Sequence, residues 1–165
     1  MAEIGCLKDG HFNNLEVANT VVMKKNCTNI THSASLTKSH CGIVFLNGSS
    51  TSVGGIGTSN VDITLPTTET GLHYKFILNA SMAQSSASFV ISTQGNASLV
   101  GTIDFAADAA NPSANPTDKK IIFGKNTAPG DFVDLNCYDD DHISRWHVFG
   151  VTKYEQNATD GLRFG

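Results

Sequence analysis

Short runs of apolar residues, separated by stretches rich in Gly, Pro, Asn and Ser, recur along most of the chain. Residues 61–65 (Val-Asp-Ile-Thr-Leu) alternate apolar and polar side chains, which is typical of a strand with one buried face. The apolar run 41–46 ends at Asn47-Gly48, a strong turn signal. No segment keeps a 3.6-residue period, and we expect at most one helical turn, within residues 79–88. The pattern therefore predicts strands joined by turns.

Other apolar runs of similar length complete the series of predicted strands. They cover residues 74–78, 89–91, 99–105, 121–123, 132–138 and 145–151, and residues 17–23 near the start of the chain could form a further short strand. Residues 48–59 are predicted as a loop because they are rich in Gly, Ser and Thr, and residues 106–118 because two Asn-Pro pairs exclude a central strand or helix. About eight strands at spacings of roughly 10 to 15 residues indicate a single all-β domain: a β-sandwich, a jelly roll or a small barrel.

The start of the chain differs from the rest, since turn-forming Asn, Asp and Gly residues there separate short apolar pieces. We expect residues 1–34 to form an extended N-terminal arm, because such segments are often poorly ordered until they dock on a partner. Residues 35–165 then form the β-domain. The side chains predicted for its core are Phe76, Phe132, Leu135, Trp146 and Val148.

Trp146, the single tryptophan of the chain, lies at the start of the last predicted strand. Aromatic side chains anchor β-cores, so we expect it to pack in the core or at its edge, beside Phe149 or Tyr138. The alternative is an exposed anchor for a partner protein, since tryptophan is enriched at interface hot spots.

Composition supports a β-fold and argues against several classes of protein. Only 16% of the 165 residues are charged, which is low for the surfaces of helices, and Ser, Thr, Asn, Ala and Gly take the polar positions. The net charge of −4, with no basic stripe, argues against direct binding of nucleic acid. No apolar run approaches the ~20 residues of a membrane span, and no signal peptide is recognisable, so we expect synthesis in a cytoplasm and no membrane contact.

No motif of the chain predicts catalysis. The densest group of potential ligands, Asp139-Asp140-Asp141-His142, lacks the spacing of a calcium loop and is interpreted as a solvated turn, with a cation site as the alternative. The Gly-rich residues 54–57 have no Walker lysine, and neither a helical zinc motif nor a Gly-x-Ser-x-Gly elbow is present. We therefore expect no enzyme activity, no cofactor and no metal.

The four cysteines, Cys6, Cys27, Cys41 and Cys137, form no Cys-x-x-Cys pair, which argues against a zinc ribbon or a thioredoxin-type site. Reduced thiols are expected without secretion, and a disulfide between Cys27 and Cys41 is the alternative. Cys137 is expected to be a small buried side chain of a strand. Six Asn-x-Ser/Thr sequences occur, and we attribute them to the abundance of Asn, Ser and Thr.

Four short motifs between residues 60 and 152 together resemble a β-module of bacteriophage and cyanophage virion proteins. They are Thr64-Leu65-Pro66, Gly71-Leu72-His73-Tyr74-Lys75-Phe76, Gly130-Asp131-Phe132-Val133-Asp134-Leu135 and Trp146-His147-Val148-Phe149-Gly150. Residues 4–12 are similar, more weakly, to the start of some phage structural proteins. The module is similar to head decoration (cement) proteins and to related knob and fibre domains.

The resemblance implies a structural protein of the virion surface without catalytic residues. As a decoration protein it would bind the major capsid protein on the outside of a phage head, as a homotrimer, and stabilise the shell. Contacts with the capsid are expected from apolar side chains of the arm, namely Ile4, Leu7, Phe12, Leu15 and Val17. The alternatives are a tail fibre or knob module that binds a host receptor, and a secreted β-sandwich that binds glycans.

Overall fold

The computed structural model describes residues 26–47, 59–80, 82, 87–105, 118–139, 143–153 and 161–165. Strands dominate these ranges, which confirms the all-β class. Numbered in chain order, they are β1 (Cys27–Ile30), β2 (Ala34–Ser35), β3 (Gly42–Leu46), β4 (Val61–Thr64), β5 (His73–Leu78), β6 (Phe89–Ser92), β7 (Ser98–Phe105), β8 (Lys120–Phe123), β9 (Phe132–Asp139), β10 (Ser144–Thr152) and β11 (Leu162–Phe164). A 3-10 turn, Lys38–His40, lies between β2 and β3.

The strands form two sheets that pack against each other as a sandwich. The six-stranded sheet has the order β1-β3-β5-β9-β10-β7, and the five-stranded sheet has the order β11-β8-β6-β4-β2. From β1 to β9, successive strands alternate between the two sheets. In the first part of the chain, each strand pairs in parallel with the preceding strand of the same sheet. This holds for β1, β3 and β5 in the six-stranded sheet and for β2, β4 and β6 in the five-stranded sheet.

The closing segment of the chain contains one hairpin between long strands. β9 and β10 pair antiparallel, from Phe132 opposite Val151 to Asp139 opposite Ser144. β8 lies in the five-stranded sheet, so the turn at residues 129–130 leads from one sheet to the other. On the far side of the hairpin, β7 pairs in parallel with β10 along its whole length.

One hydrophobic core fills the space between the sheets. The inward side chains of both sheets make it, and they alternate with outward ones as the pleat of a strand requires. Its largest fully buried members are Trp146, Tyr74, Phe76, Phe89 and Phe123. Four of the residues predicted for the core are buried there, namely Phe76, Leu135, Trp146 and Val148.

Phe132 and the neighbours of Trp146 differ from the expectation. Phe132 is only partly buried and points outward, because it alternates with the inward residues of β9. Phe149 and Tyr138 are exposed on the same outward side, so Trp146 packs instead on Tyr74, with 5.8 Å between the ring centroids. The two-residue alternation of strands accounts for both corrections.

The predicted boundary of the N-terminal arm is also corrected. β1 and the start of β2 fall within residues 1–34, yet they belong to the two sheets, and Ile30 is buried. The sequence pattern missed these strands because each is short and brings few apolar side chains. Residues 1–25 lie outside the described residues, as do nearly all of the two predicted loops and part of the predicted helical turn.

Three asparagines form a ladder beside the stacked parallel strands. Asn79 Nδ2 donates to Asn47 Oδ1 at 2.7 Å, and Asn47 Nδ2 donates to Asn29 Oδ1 at 3.0 Å. The backbone continues the pairing, because Asn79 N donates to Leu46 O and Asn47 N to Ile30 O, both at 2.9 Å. Three of the Asn-x-Ser/Thr sequences thus supply amides that link β1, β3 and β5.

Asp131 is a buried carboxylate that ties two turns together. Its Oδ2 accepts hydrogen bonds from the Thr152 hydroxyl at 2.7 Å and from Ala128 N at 3.0 Å. Its Oδ1 accepts one from Lys153 N at 2.9 Å. Hydrogen bonds to an ionised group are stronger than neutral ones, so this carboxylate fixes the end of β10 beside the turn that precedes β9.

Asp131→Ala is expected to lower the free energy of unfolding by about 2–4 kcal/mol, because three donors lose their acceptor at a buried site. Urea unfolding followed by circular dichroism measures the loss. Thr152→Val removes one of the three bonds and keeps the shape of the side chain, so it should cost about 1 kcal/mol. Equal losses for the two variants would contradict the role assigned to Asp131.

Tyr74 is fully buried, and its hydroxyl donates to the carbonyl oxygen of Thr37 at 2.8 Å. Burial raises the pKa of the Tyr74 phenol well above its ordinary value, and the neighbouring thiols of Cys41 and Cys137 add to the effect. In the unfolded chain a tyrosine ionises with a pKa of about 10. Above that pH the native state keeps a proton that the unfolded state releases, so stability falls as the pH rises.

Tyr74→Phe is expected to lower the free energy of unfolding by about 1 kcal/mol at neutral pH, because the hydroxyl no longer bonds to Thr37. Above pH ~10 the loss of stability with pH should be shallower in this variant than in the wild type. Urea unfolding at a series of alkaline pH values measures both effects. Tyr138→Phe, at an exposed position, is the control. An unchanged alkaline slope in Tyr74→Phe would refute the prediction.

Candidate interaction surface

The outward side chains of the six-stranded sheet form the surface that we call the outer face. They point away from the five-stranded sheet and alternate with the buried side chains of each strand. The members are Cys27, Asn29, Ile43, Phe45, His73, Lys75, Ile77, Phe132, Asp134, Asn136, Tyr138, Arg145, His147, Phe149, Val151, Ser98, Val100, Thr102 and Asp104. Their distribution is uneven, with most of the apolar side chains toward one end of the strands.

Four apolar side chains lie side by side across the outer face: Phe45, Ile77, Phe132 and Val151. The strand register makes them direct neighbours on β3, β5, β9 and β10. All four are partly exposed. Because neighbouring strands lie about 4.8 Å apart, this apolar row is about 14 Å long.

Phe149 lies two residues before Val151 on β10 and extends the apolar surface beyond the row. Its side chain is 48% exposed, and its ring meets Phe132 edge-on with 6.4 Å between centroids. Lys75 Nζ lies 4.2 Å from the centroid of the Phe132 ring. These two contacts restrict the Phe132 ring, so the outer face presents an ordered aromatic pair to solvent.

Polar side chains occupy the other end of the strands. His73 Nε2 lies 2.8 Å from Asp134 Oδ1, which also accepts a hydrogen bond from Asn136 Nδ2 at 3.2 Å. His147 is the cross-strand neighbour of Asn136 on β10. The outer face therefore combines an apolar part with a part that can donate and accept hydrogen bonds.

The outer face carries no net charge. Its two cations, Lys75 and Arg145, balance its two carboxylates, Asp104 and Asp134, when histidine is counted as neutral. The whole chain has a net charge of −4 on the same convention. The excess negative charge therefore lies elsewhere on the molecule.

The outward side of the five-stranded sheet is more polar. Ser35, Asp62 and Lys120 are exposed there. Of its apolar side chains, Val90 is buried and Ile122 is partly exposed. Across the part of the chain that the structure describes, the outer face of the six-stranded sheet is the larger apolar surface.

The residues that the sequence predicted for function are placed only in part. The proposed capsid contacts, Ile4, Leu7, Phe12, Leu15 and Val17, lie outside the described residues. Asp139 ends β9, and residues 140–142 of the acidic turn are also outside them.

Sequence reasoning missed the apolar row, although a signal for it was present. In β5 the buried Phe76 and Leu78 alternate with Ile77, and in β9 the buried Val133 follows Phe132. A strand that is apolar at consecutive positions has apolar side chains on both faces. These consecutive apolar positions could have identified the surface.

Cys27 and Cys41 are not joined by a disulfide. Within the described ranges, no three His, Cys, Asp or Glu side chains come together in a group that could hold a metal ion. The described residues also contain no helix of the length and hydropathy that a membrane span requires.

Comparison of the chain with protein-family models, with curated proteins and with solved structures gave no match.

Proposed function

We propose that this chain is a structural module of a phage virion, which decorates the outside of the head as a homotrimer and stabilises the shell by binding the major capsid protein. The observation that carries the proposal is the outer face, where the apolar row and Phe149 leave aromatic and aliphatic surface in contact with water. Apolar patches that polar groups surround are typical of protein–protein contacts.

The residues of the four resembling motifs stabilise the fold, which supports a structural role. In the resembling segments, Asp131 fixes a turn, Trp146 fills the core and Tyr74 bonds across to Thr37. These residues stabilise a rigid body. A protein repeated over a shell can rely on individually modest contacts, because many copies act together.

The proposal is tested by adding the purified protein to phage heads that lack it. Bound protein should co-sediment with the heads, and the temperature at which the heads release their DNA should rise. Protein unfolded by heat before addition is the control for unspecific coating. Mass spectrometry of purified virions should find the chain at high copy number in the head fraction.

Two outcomes would overturn the proposal. Absence from purified virions, or no binding to heads together with an unchanged release temperature, would exclude a decoration role. Binding of labelled protein to host cells and not to heads would identify a tail fibre or knob module instead. Specific binding on a glycan array, without binding to heads, would favour the glycan-binding alternative.

A further inference from the structure

We infer that copies of this chain associate with one another through the apolar row and Phe149. This inference deepens the proposed function, and the expectation of three copies rests on that function. The apolar row consists of cross-strand neighbours on four strands, which places a continuous patch on the sheet. In a trimer, every copy turns the same face toward the threefold axis, so the apolar row and Phe149 of each copy would be buried against its neighbours.

Charge favours a copy of this chain as the occupant. A net charge of −4 makes two copies repel each other on approach. The outer face is the exception, because Lys75 and Arg145 balance Asp104 and Asp134 there. Both signs on one face also allow a cation of one copy to meet a carboxylate of another. A strongly charged partner would gain no net attraction from this surface.

The size of the outer face suits an interface between subunits. Six strands spaced by about 4.8 Å and the eight residues of β9 at about 3.3 Å each describe a face on the order of 600 Å². Side-chain relief increases the accessible area beyond this flat estimate. Stable interfaces bury about 800 Å² on each partner, so most of the face would be used.

The arrangement of the outer face also resembles the anatomy of an interface. Phe132 and Phe149 form the ordered aromatic pair, and such residues dominate binding energy when they lie centrally. His73, Asn136 and Tyr138 supply polar groups toward one margin. Polar margins of this kind exclude water from the centre of an interface.

The experiment uses the purified full-length chain alone, without capsids. Light scattering after size exclusion and sedimentation equilibrium should show a trimer that dissociates on dilution. Phe149→Glu and Phe149→Lys should each weaken association by at least about 30-fold in Kd, as expected for a central aromatic anchor. Ser35→Glu, an exposed strand position of the other sheet, is the matched control and should leave association unchanged.

Folding of the variants is checked by circular dichroism and thermal unfolding. Hydroxyl-radical labelling of the wild type needs no substitution: oxidation of Phe149 should fall as the concentration rises into the range of association. A wild type that stays monomeric at all concentrations, or a trimer in which Phe149 keeps its full reactivity, overturns the inference. Either result leaves the head-binding experiment free to succeed or fail independently. A trimer with a reactive Phe149 that heads protect would assign the outer face to the capsid instead.

Discussion

Trp146→Ala is expected to lower the free energy of unfolding by about 3–5 kcal/mol, the usual range for a large aromatic side chain removed from a core. Trp146 is fully buried and packs on Tyr74. Its cross-strand neighbours are Leu99 on β7 and Cys137 on β9, so the cavity would open where three strands meet. Because the free energy of unfolding of a domain is only about 5–15 kcal/mol, this substitution would remove a large part of it.

Trp146→Phe is the matched control for this prediction. In the described structure Trp146 Nε1 has no hydrogen-bond partner, and a buried donor without an acceptor is itself destabilising. Phenylalanine removes that donor together with part of the ring, so the cost should be only about 1–2 kcal/mol. Urea unfolding followed by circular dichroism suits both variants, because Trp146 is the single tryptophan and fluorescence is lost. Similar losses in the two variants would contradict the packing argument.

Gly101→Ala should destabilise the fold by about 3–5 kcal/mol, although it adds only one carbon atom. A Cβ at residue 101 would lie 1.8 Å from Val148 O and 2.9 Å from Val148 N. Both atoms belong to the backbone of β10, which cannot move aside as a flexible side chain can. Gly101 also has a φ of +147°, which disfavours any residue with a side chain. Alanine would therefore separate β7 from β10.

Gly130→Ala separates the effect of the steric clash from the effect of the positive φ. Gly130 has a positive φ of +97°, yet an added Cβ there meets nothing within 4 Å. Only the backbone strain remains, which should cost about 1–2 kcal/mol. Thermal and urea unfolding of the two variants in parallel provide the comparison. If Gly101→Ala is no less stable than Gly130→Ala, the close approach of β7 and β10 is wrong.

Strand positions and the fold class could be predicted because they depend on local patterns. Alternation at residues 61–65 predicted β4, and the apolar runs at residues 74–78 and 121–123 predicted β5 and β8 to within one residue. The short β1 and β2 escaped because few side chains carry their signal. Prediction of individual core residues succeeded where the two-residue period was respected.

The sequence contains enough information to predict two aromatic side chains of the outer face. Phe132 and Leu135 are three positions apart on one strand, so alternation places them on opposite faces. The same argument separates Trp146 from Phe149. An assignment of both members of each pair to one core was therefore inconsistent with a strand. The alternation of the sequence alone therefore predicts Phe132 and Phe149 on the outer face.

By itself, the sequence determined that this chain is an all-β protein, because alternation and turn residues act over a few positions. Only the tertiary structure decided which strands pair. β3 and β5 are parallel neighbours although 26 residues lie between Leu46 and His73, and neither pattern specifies the other. Many pairings would bury the same apolar faces, and the joint packing of all side chains in one core selects among them. That selection brings Gly101 against Val148 and assembles the apolar row from four separate strands.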